Sequence, residues 1–368
     1  MRYFSSPRFL ASILTVLSVA AAFVSPSALA QPSGAQGSDF LYRVVPNDTL
    51  ITLAAKYTSS EQNWHELQSL NHVADPKALP IGLVLRIPFQ MIPQLPGDAV
   101  VTHVAGDAWL DQRRLQIGDS IAEGGSIRTS SNGFLTLRLS DNSTITIPAD
   151  ASVAVQRLRV FKNVPLTDTI ISVDNGSLES HVAPDNTGVG RFEVRTPVSI
   201  TGVRGTRLRV HASDDGALSE VIEGTAQLNT QNNNATRLTQ NQGAAVSDSG
   251  QLLGVRTLLP APQLPAIAAN DYSGQLVFPA VSGADHYLVR IATDPEGQHL
   301  LSSHQTPKPM ANFGRQSTES YLLVRAIDET GLGGHDAVTT IPAGRVLISS
   351  DGTPVRSGFG DAIQLSQH

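Results

Sequence analysis

Short alternating segments dominate the chain from Gly97 to about Asp248. Apolar residues recur there at every second position, as in "GFLTLRLSDNSTITIP", where three leucines precede an Asp-Asn pair and two isoleucines follow it. Side chains two residues apart share one face of a β-strand, and Asp-Asn is a typical turn sequence. The pattern therefore predicts successive hairpins, and this part of the chain is expected to be all-β.

One segment of this β region, "RFEVRTPVSITGVRGTRLRV" at residues 191–210, is interrupted by two glycines. Val203 falls out of phase between Gly202 and Gly205, whereas four other apolar residues keep one parity, namely Val198, Ile200, Leu208 and Val210. Glycine within a strand is typical of a bulge or a corner where a side chain would clash. We expect a corner at Gly202 and Gly205 with Arg204 held close to it, and solvated side chains at Arg207 and Arg209.

The first thirty residues have the pattern of a cleaved export signal. Arg2 and Arg8 precede a mostly apolar run, and Ala28-Leu29-Ala30 supplies small residues for cleavage after Ala30. An uncleaved membrane anchor is the alternative. The chain has no cysteine, which excludes an acylated cysteine, a disulfide framework and a thiolate metal site. We expect a periplasmic or secreted protein without stable membrane insertion.

The charge of the mature chain gives a second constraint. Arg2 and Arg8 are the only charged residues of the signal, so its removal takes the formal charge from −6 to −8. Mild acidity spread along a chain argues against nucleic acid or an anionic membrane as a partner. The remaining length exceeds the usual size of one hydrophobic core, so several domains are expected.

Beyond a polar linker at residues 31–40, residues 41–89 combine two strands with two helical stripes. Tyr42 and Val44 favour a strand, and Asp48 or Thr49 can cap the helix that follows. The first stripe is Leu50, Leu53, Ala54 and Tyr57, the second is Trp64, Leu67 and Leu70, and "LVLRIP" returns as a strand. The predicted order is β-α-α-β, and Trp64 is interpreted as a core residue.

These residues, with the Asp-Thr-Leu after the first strand and the closing "Pro-x-Gly-x-x-Leu-x-Ile-Pro", resemble the LysM module. Asn47 stands where that family usually has glycine. The resemblance implies binding of β-1,4-linked N-acetylated glycan, chiefly peptidoglycan, in a groove between two loops. The implied site residues are Asn47, Asp48, Thr49, Leu50, Asn71, Pro80, Ile81 and Gly82. The alternative is structural: Asp48 and Thr49 only cap a helix, and Leu50 and Ile81 belong to the core.

The β region, taken as residues 97–250, resembles the FecR domain through its "Gly-Asp-x-Ile", its leucine hairpin with an Asp-Asn-Ser turn, its "Val-x-Asn-Gly-x-Leu" and above all "TPVSITGVRGT". The fold is expected to be a sandwich or solenoid-like. A structural corner is assigned to Thr196, Pro197, Gly202, Arg204, Gly205 and Thr206. Signalling members of that family hold a sigma factor through a cytoplasmic segment, but here only eight residues precede the single apolar run. The resemblance therefore favours a binding or scaffolding unit, with a periplasmic accessory of a FecR-type signalling system as the alternative.

The last third of the chain contains two alternating strand runs, Tyr287–Ile291 and Tyr321–Ile327. Ala261–Ala269, rich in alanine and proline, is interpreted as a linker. "VSGADHY" and "YLLVRAIDETGLGG" resemble a fibronectin type III-like sandwich, assigned to residues 257–345, with Phe278 where tryptophan is common. Such units act as spacers or docking surfaces. Residues 346–368 are assigned as a tail.

Catalytic patterns are missing from the sequence. Its ten histidines form no zincin pair, none of its four lysines follows serine by three positions, and no glycosidase-like carboxylate pair stands out. We therefore predict no catalytic residue, no metal site and no cofactor. The interpretation is a non-enzymatic, multidomain, mainly β envelope protein that binds peptidoglycan and another envelope protein, with a cell-wall hydrolase as a remote alternative.

Overall fold

The structure is a computed structural model that describes residues 32–36, 38–164, 166–182, 189–231, 235–269, 273–344, 347, 349–353, 355–356 and 363. The predicted export signal and most of the predicted tail lie outside these residues. Strands make up 53% of the described residues and helices 7%. The architecture is therefore mainly β. In the described part, no helix is both long and apolar enough to cross a membrane.

The N-terminal module, residues 32–92, pairs a small sheet with two helices. Its elements are β1 (Pro32–Gln36), β2 (Asp39–Arg43), α1 (Leu50–Tyr57), a 3-10 turn (Glu61–Asn63), α2 (Trp64–Leu70), β3 (Val84–Pro88) and a second 3-10 turn (Phe89–Met91). The sheet order is β1-β2-β3, and both pairings are antiparallel. Residues 31–40, which are predicted to be a polar linker, thus contain β1 and the start of β2.

The predicted helical stripe of α1 forms the core of this module. Leu50, Leu53, Ala54 and Tyr57 are all buried, and Leu67 of α2 packs into the same cluster. Thr49 begins α1 with a capping box, since its hydroxyl accepts from the Thr52 amide while the Thr52 hydroxyl accepts from the Thr49 amide. Trp64 is partly buried against the core, as expected from its helical spacing.

The central unit, residues 94–257, is one continuous sheet system. Its strands are β4 (Gln94–Pro96), β5 (Ala99–Ala105), β6 (Ala108–Leu110), β7 (Arg113–Arg114), β8 (Ser120–Ile121), β9 (Ser126–Thr129), β10 (Phe134–Leu139), β11 (Thr144–Ile147), β12 (Ser152–Phe161), β13 (Thr167–His181), β14 (Val189–Arg195), β15 (Ser199–Ser213), β16 (Gly216–Thr230), β17 (Ala235–Thr239), β18 (Gln242–Ser247) and β19 (Leu252–Thr257). The main path runs β19-β18-β16-β15-β14-β13-β11-β10-β5-β8. The β10–β11 hairpin turns at Asn142, whose φ is +65°, and its leucines and isoleucines are buried as the alternation predicts.

A bulge in β15 explains the two glycines of the "TPVSITGVRGT" segment. Arg204 pairs with Thr225 and Arg207 with Glu223, so Gly205 and Thr206 lie opposite Gly224 alone. One extra residue switches the inward parity of the strand: Thr201 and Val203 are buried before it, and Leu208 and Val210 after it. The prediction that Ile200 shares one face with Leu208 and Val210 is therefore wrong. Ile200 points outward and is 38% exposed.

The C-terminal module, residues 258–344, consists of two small sheets around one core. Its strands are β20 (Gln275–Val277), β21 (Ala284–Ala292), β22 (Leu300–Thr306), β23 (Met310–Asn312), β24 (Ser320–Asp328) and β25 (Gly333–Ile341). The larger sheet has the order β22-β21-β24-β25, the smaller pairs β20 with β23, and both line one hydrophobic cluster. The predicted strand runs lie inside β21 and β24.

The segment interpreted as a linker, Ala261–Ala269, is part of the C-terminal module. Leu264 and Ile267 pack into its core. The Arg315 guanidinium, itself buried, donates to the carbonyl oxygens of Ala268 (2.7 Å) and Ala269 (3.1 Å). The linker prediction is wrong because an Ala/Pro composition does not distinguish a loose tether from an extended segment that is held by side chains.

The N-terminal module and the central unit share a hydrophobic core. Phe161, Val164 and Leu166, at the turn between β12 and β13, belong to the same buried cluster as the helices of the N-terminal module. Phe161 stacks on Phe89 with ring centroids 4.6 Å apart. β4 follows the module directly and pairs with the end of β12. Only Ile92 and Pro93 lie between the second 3-10 turn and β4, so the connection between these two parts is short.

The C-terminal module covers the outer face of the central sheet. Arg207 and Arg209 alternate with the inward residues of β15, and both contact this module, the Arg207 side chain being 23% exposed and that of Arg209 7%. Arg209 is buried and donates to the carbonyl oxygens of Gly333 (2.9 Å) and Gly334 (2.7 Å). The predicted solvation of these arginines is wrong, since no pattern within residues 191–210 shows that a distant segment covers them.

Candidate functional site

Two loops of the N-terminal module lie side by side where the glycan groove is expected. The Leu50 amide donates to the carbonyl oxygen of Pro76 (2.9 Å), which joins the start of α1 to the loop after α2. The Gly82 amide donates to the carbonyl oxygen of Val44 (2.9 Å), which ties the end of that loop to β2. These two bonds fix the loops that carry most of the residues assigned to the site, but the eight residues have different roles.

Asp48 and Thr49 are engaged inside the protein. The Asp48 carboxylate accepts from the Val45 amide (2.8 Å) and from the Tyr42 hydroxyl (2.9 Å). Burial raises the pKa of Tyr42 and the carboxylate beside it raises that pKa further, so the phenol stays protonated as a donor. Thr49 caps α1 as described above. Both side chains therefore shape the loop.

Asn71 is a bridge between α2 and β3. Its amide nitrogen donates to the carbonyl oxygens of Leu67 and Arg86, both at 2.9 Å, and its side-chain oxygen accepts from the Arg86 amide (2.7 Å). The amide group thus satisfies the end of a helix and the edge of a strand at once. Leu50 is likewise internal, since its side chain is fully buried.

The accessible part of the predicted site is smaller and more apolar. Asn47, Pro80 and Ile81 are exposed, and the Ile81 side chain is 71% accessible. Asn47 and Gly82 have φ values of +72° and +85°, which asparagine and glycine tolerate best. Ile51, which is outside the predicted site, follows Leu50 and is 47% exposed. Its signal was present, because an isoleucine off the buried stripe of α1 has no core to join.

The accessible rim combines apolar side chains with irregular backbone. Ile51 and Ile81 offer apolar surface, and the loops around Asn47 and Pro80 carry amide and carbonyl groups outside any sheet ladder. Such a surface suits a ligand with apolar faces and polar acetamido groups. No titratable side chain is needed for this kind of recognition.

The segment Thr196–Ile200 of the central unit forms a tight turn. The Thr196 hydroxyl accepts from the Ser199 amide (3.0 Å), and the Thr196 amide donates to the Ser199 carbonyl oxygen (2.8 Å). The Pro197 carbonyl oxygen accepts from the Gln231 side chain (2.8 Å). These bonds make the turn rigid before β15 begins.

A cleft of about 450 Å³ lies beside this turn. It is lined by Gln156, Ser172, Asp174, Arg195, Thr196, Pro197, Val198, Ser199, Ile200, Asn229, Thr230 and Gln231. Arg195 is held by Glu193 (2.7 Å), and Ser172 donates to Asp174 (2.8 Å). Thr196 and Pro197 thus line a concave surface in addition to forming a turn.

The predicted corner lies at Gly205 and Thr206. Gly205 has a φ of +56°, and the Thr206 hydroxyl donates to the Thr225 carbonyl oxygen (2.8 Å). Gly202, in contrast, is in the regular ladder between Glu193 and Gln227, and a methyl group there would contact nothing within 4 Å. The assignment of Gly202 to the corner is therefore wrong. The Arg204 backbone pairs with Thr225, and its side chain lies outside the described residues.

Two family models match the chain. The LysM domain matches residues 42–88, and the FecR protein family matches residues 125–227. The chain therefore contains a LysM domain in its N-terminal module and a FecR domain in its central unit. No match to a curated protein is found.

Solved structures give a partial likeness. Two crystal structures of "a putative anti-sigma factor from Parabacteroides distasonis ATCC 8503", at 1.65 and 2.50 Å resolution, are 18% and 19% identical to the chain. Each match covers 36% of this chain and 59% of the other, with a TM-score of 0.30. The chain thus spans less than two thirds of each of these two chains.

Proposed function

We propose that this chain is a non-enzymatic cell-envelope protein, periplasmic or secreted after cleavage at Ala30, that binds the N-acetylated glycan of peptidoglycan through its LysM domain. The observation that carries the proposal is the exposed side chain of Ile81 on the loop joined to the start of α1, within a segment that matches the LysM family. An isoleucine exposed to this extent at the rim of a groove is a candidate contact for an apolar sugar face.

The contacts divide the residues of the groove into those that fix the loops and those that are free to contact a glycan. Asp48, Thr49 and Asn71 fix the two loops, and Leu50 supports them from the core. Asn47, Pro80, Ile81 and Gly82, with Ile51, form the surface that a glycan would touch. Backbone groups of these loops are proposed to bind the N-acetyl groups, and the isoleucines to pack beneath the sugar rings.

The two β units are proposed to act as a scaffold for a second envelope protein. The central unit shares a core with the LysM domain and is contacted by the C-terminal module, which we assign as fibronectin type III-like. Their surfaces are thereby presented at a fixed position relative to a wall-bound LysM domain. The FecR match supports a second candidate, an accessory in a signal-transduction system.

The test is co-sedimentation of the mature chain, residues 31–368, with purified insoluble peptidoglycan. Deletion of residues 42–88 would uncover Phe161, Val164 and Leu166, so a point variant is the sharper probe. Ile81→Asp is expected to weaken binding about tenfold or more, because it places a charge against an apolar sugar face. Ile117→Asp is the matched control, since Ile117 is 65% exposed but lies in the central unit.

Three outcomes of this co-sedimentation experiment decide whether the assigned groove binds peptidoglycan. Binding by the wild type and the control but not by Ile81→Asp supports the assigned groove. Equal binding by all three chains shows that another surface holds the wall. Absence of binding by the wild type contradicts the proposed function.

A further inference from the structure

Two histidines lie in the contact between the central unit and the C-terminal module. His103, on β5, is within 2.8 Å of the Leu300 carbonyl oxygen through its Nε2, so the neutral ring donates across the contact. Its ring meets the His299 ring edge-on at 5.3 Å, and the Phe134 ring lies on its own side at 6.1 Å. Asp294 contacts His299 (3.1 Å) and is the acidic group on this side of the contact.

Next to His103, hydroxyl groups complete the same patch. The Thr136 hydroxyl on β10 donates to the Gln298 carbonyl oxygen, and the Gln298 amide reaches the Thr144 hydroxyl on β11. Three neighbouring strands of the central sheet thus contact the single segment Gln298–Leu300. This segment cannot move away from His103 without breaking all of these bonds.

His335 lies in a second patch at the start of β25. The preceding residues are clamped to the central unit, since Arg209 donates to the Gly333 and Gly334 carbonyl oxygens and Glu220 accepts from the Gly333 amide (2.6 Å). The charged groups that act on the His335 ring are Arg207 and Arg209 of β15, Arg325 of β24 and its own neighbour Asp336. The three arginines lower the pKa of this ring, and Asp336 raises it.

Both rings are more easily charged outside the contact than within it. Burial lowers the pKa of His103 and His299 lowers it further, and together they outweigh the Leu300 carbonyl and Asp294, which raise it. Burial also lowers the pKa of His335, and the positive charge of Arg209 adds to the effect. A protonated His103 keeps its donor to Leu300 but faces His299 in a partly desolvated site, and a protonated His335 adds charge to an arginine cluster.

We propose that the contact between the C-terminal module and the central unit is a pH-sensitive clamp, firm at neutral pH and weakened in mild acid by protonation of His103 and His335. The direction follows from linkage: a histidine whose pKa is lowered in the closed state contributes stability above its ordinary pKa of 6.5, and this stability is lost as the pH falls towards the lowered value. An exported protein would experience such changes of pH directly.

The carboxylates of the same contact titrate in a different pH range from the histidines. Arg325 and Arg290 lower the pKa of Glu179 to about 2 in spite of its burial, and the same arginines hold the pKa of Asp336 well below its ordinary value. Both remain charged between pH 6.5 and 4.5. Glu220 is the exception, because burial raises its pKa, and its protonation would add to the loss of the clamp. A histidine effect is therefore recognised by its removal in a histidine variant.

The experiment is native-state hydrogen exchange of the mature chain at about pH 7.5 and pH 5.5, corrected for the intrinsic exchange rates. In the wild type, protection of β25 amides relative to α1 amides is expected to fall by about threefold or more at the lower pH. In His103→Gln/His335→Gln the fall should be at most half as large on a logarithmic scale, since glutamine can donate but does not titrate. His65→Gln, at an exposed histidine of α2, should behave as the wild type.

Equal relative protection at the two pH values in the wild type overturns the proposal, and this readout requires no variant to fold. An undiminished fall in the double variant also overturns it and assigns the effect to other titrating groups of the contact, Glu220 or His299. A fall in the wild type that is reduced in the double variant and retained in His65→Gln supports the clamp.

Discussion

Arg209 and Glu220 face each other across β15 and β16 as a buried ion pair, with Nε and Oε2 2.8 Å apart. Both residues also bond to the C-terminal module: Arg209 donates to two carbonyl oxygens and Glu220 accepts from the Gly333 amide. Burial lowers the pKa of Arg209 to about 10 and raises that of Glu220. One cross-strand pair therefore fastens two units together.

Removal of one partner of this pair should be more harmful than removal of both. Arg209→Met leaves the Glu220 carboxylate buried without its cation, and we expect a loss of about 3 to 5 kcal/mol in the free energy of unfolding. Arg209→Met/Glu220→Met should recover at least half of that loss. Urea unfolding of the single and double variants checks this, and additive losses would contradict it.

The bulge of β15 predicts opposite tolerances at two neighbouring glycines. Gly205→Val should destabilise the protein by about 1 to 3 kcal/mol, because a β-branched residue is strained at a φ of +56°. Gly202→Val is the control, since its backbone is regular and a side chain has room there. Thermal unfolding of both variants is the measurement. Equal melting temperatures would show that the bulge imposes no constraint.

Asn71 is predicted to support the groove and not to bind glycan. Asn71→Ala removes three hydrogen bonds, and a loss of about 1 to 3 kcal/mol in stability follows from the Arg86 amide and the two carbonyl groups left without it. At a temperature well below the transition, binding to peptidoglycan should remain within about twofold of the wild type. A selective loss of binding in a fully folded variant would place Asn71 in direct contact with the ligand.

The shared core predicts joint unfolding of the LysM domain and the central unit. Phe161→Ala should cost about 3 to 5 kcal/mol, as expected for a buried aromatic ring. The transition of the LysM domain should fall with it, although Phe161 lies outside residues 42–88. Tryptophan fluorescence reports on Trp64 in α2 and Trp109 in β6, one in each part. Two transitions that shift independently would contradict the coupling.

Acid should weaken the protein through Glu179. Its pKa is about 2 in the folded state against an ordinary value of 4.5, so its contribution is present above pH 4.5 and is lost as the pH falls towards 2. Glu179→Gln should be less stable than the wild type at pH 7, and the difference should shrink with acidification. Urea midpoints at several pH values give the test, and a constant difference would contradict it.

Sequence reasoning identified what local patterns determine. The stripe of α1, the hairpin at Asn142 and the strands β21 and β24 follow from residues a few positions apart, and the structure contains them. The same holds for the two matched domains, whose motifs are continuous in the chain.

The errors concern relations between distant segments. Arg209 is buried because residues more than a hundred positions later cover it, and Ala261–Ala269 is held by Arg315. The alternation of buried and exposed side chains in β15 is not regular, because a bulge shifts the inward-facing positions by one residue. In the groove, Asp48 and Asn71 are polar residues of the kind that often bind ligands. Their hydrogen bonds are made within the protein, which is visible only in the three-dimensional structure.

The direct passage from the LysM domain into β4 has a mechanical consequence. A slack tether would let the rest of the chain tumble freely around a wall-bound domain. If the LysM domain binds the wall as proposed, a force between the wall and the β units would act directly on the β4–β12 pairing and on the Phe89–Phe161 stack. The LysM domain and the central unit would therefore move as one body, and binding of the LysM domain to the glycan would fix the orientation of the central unit.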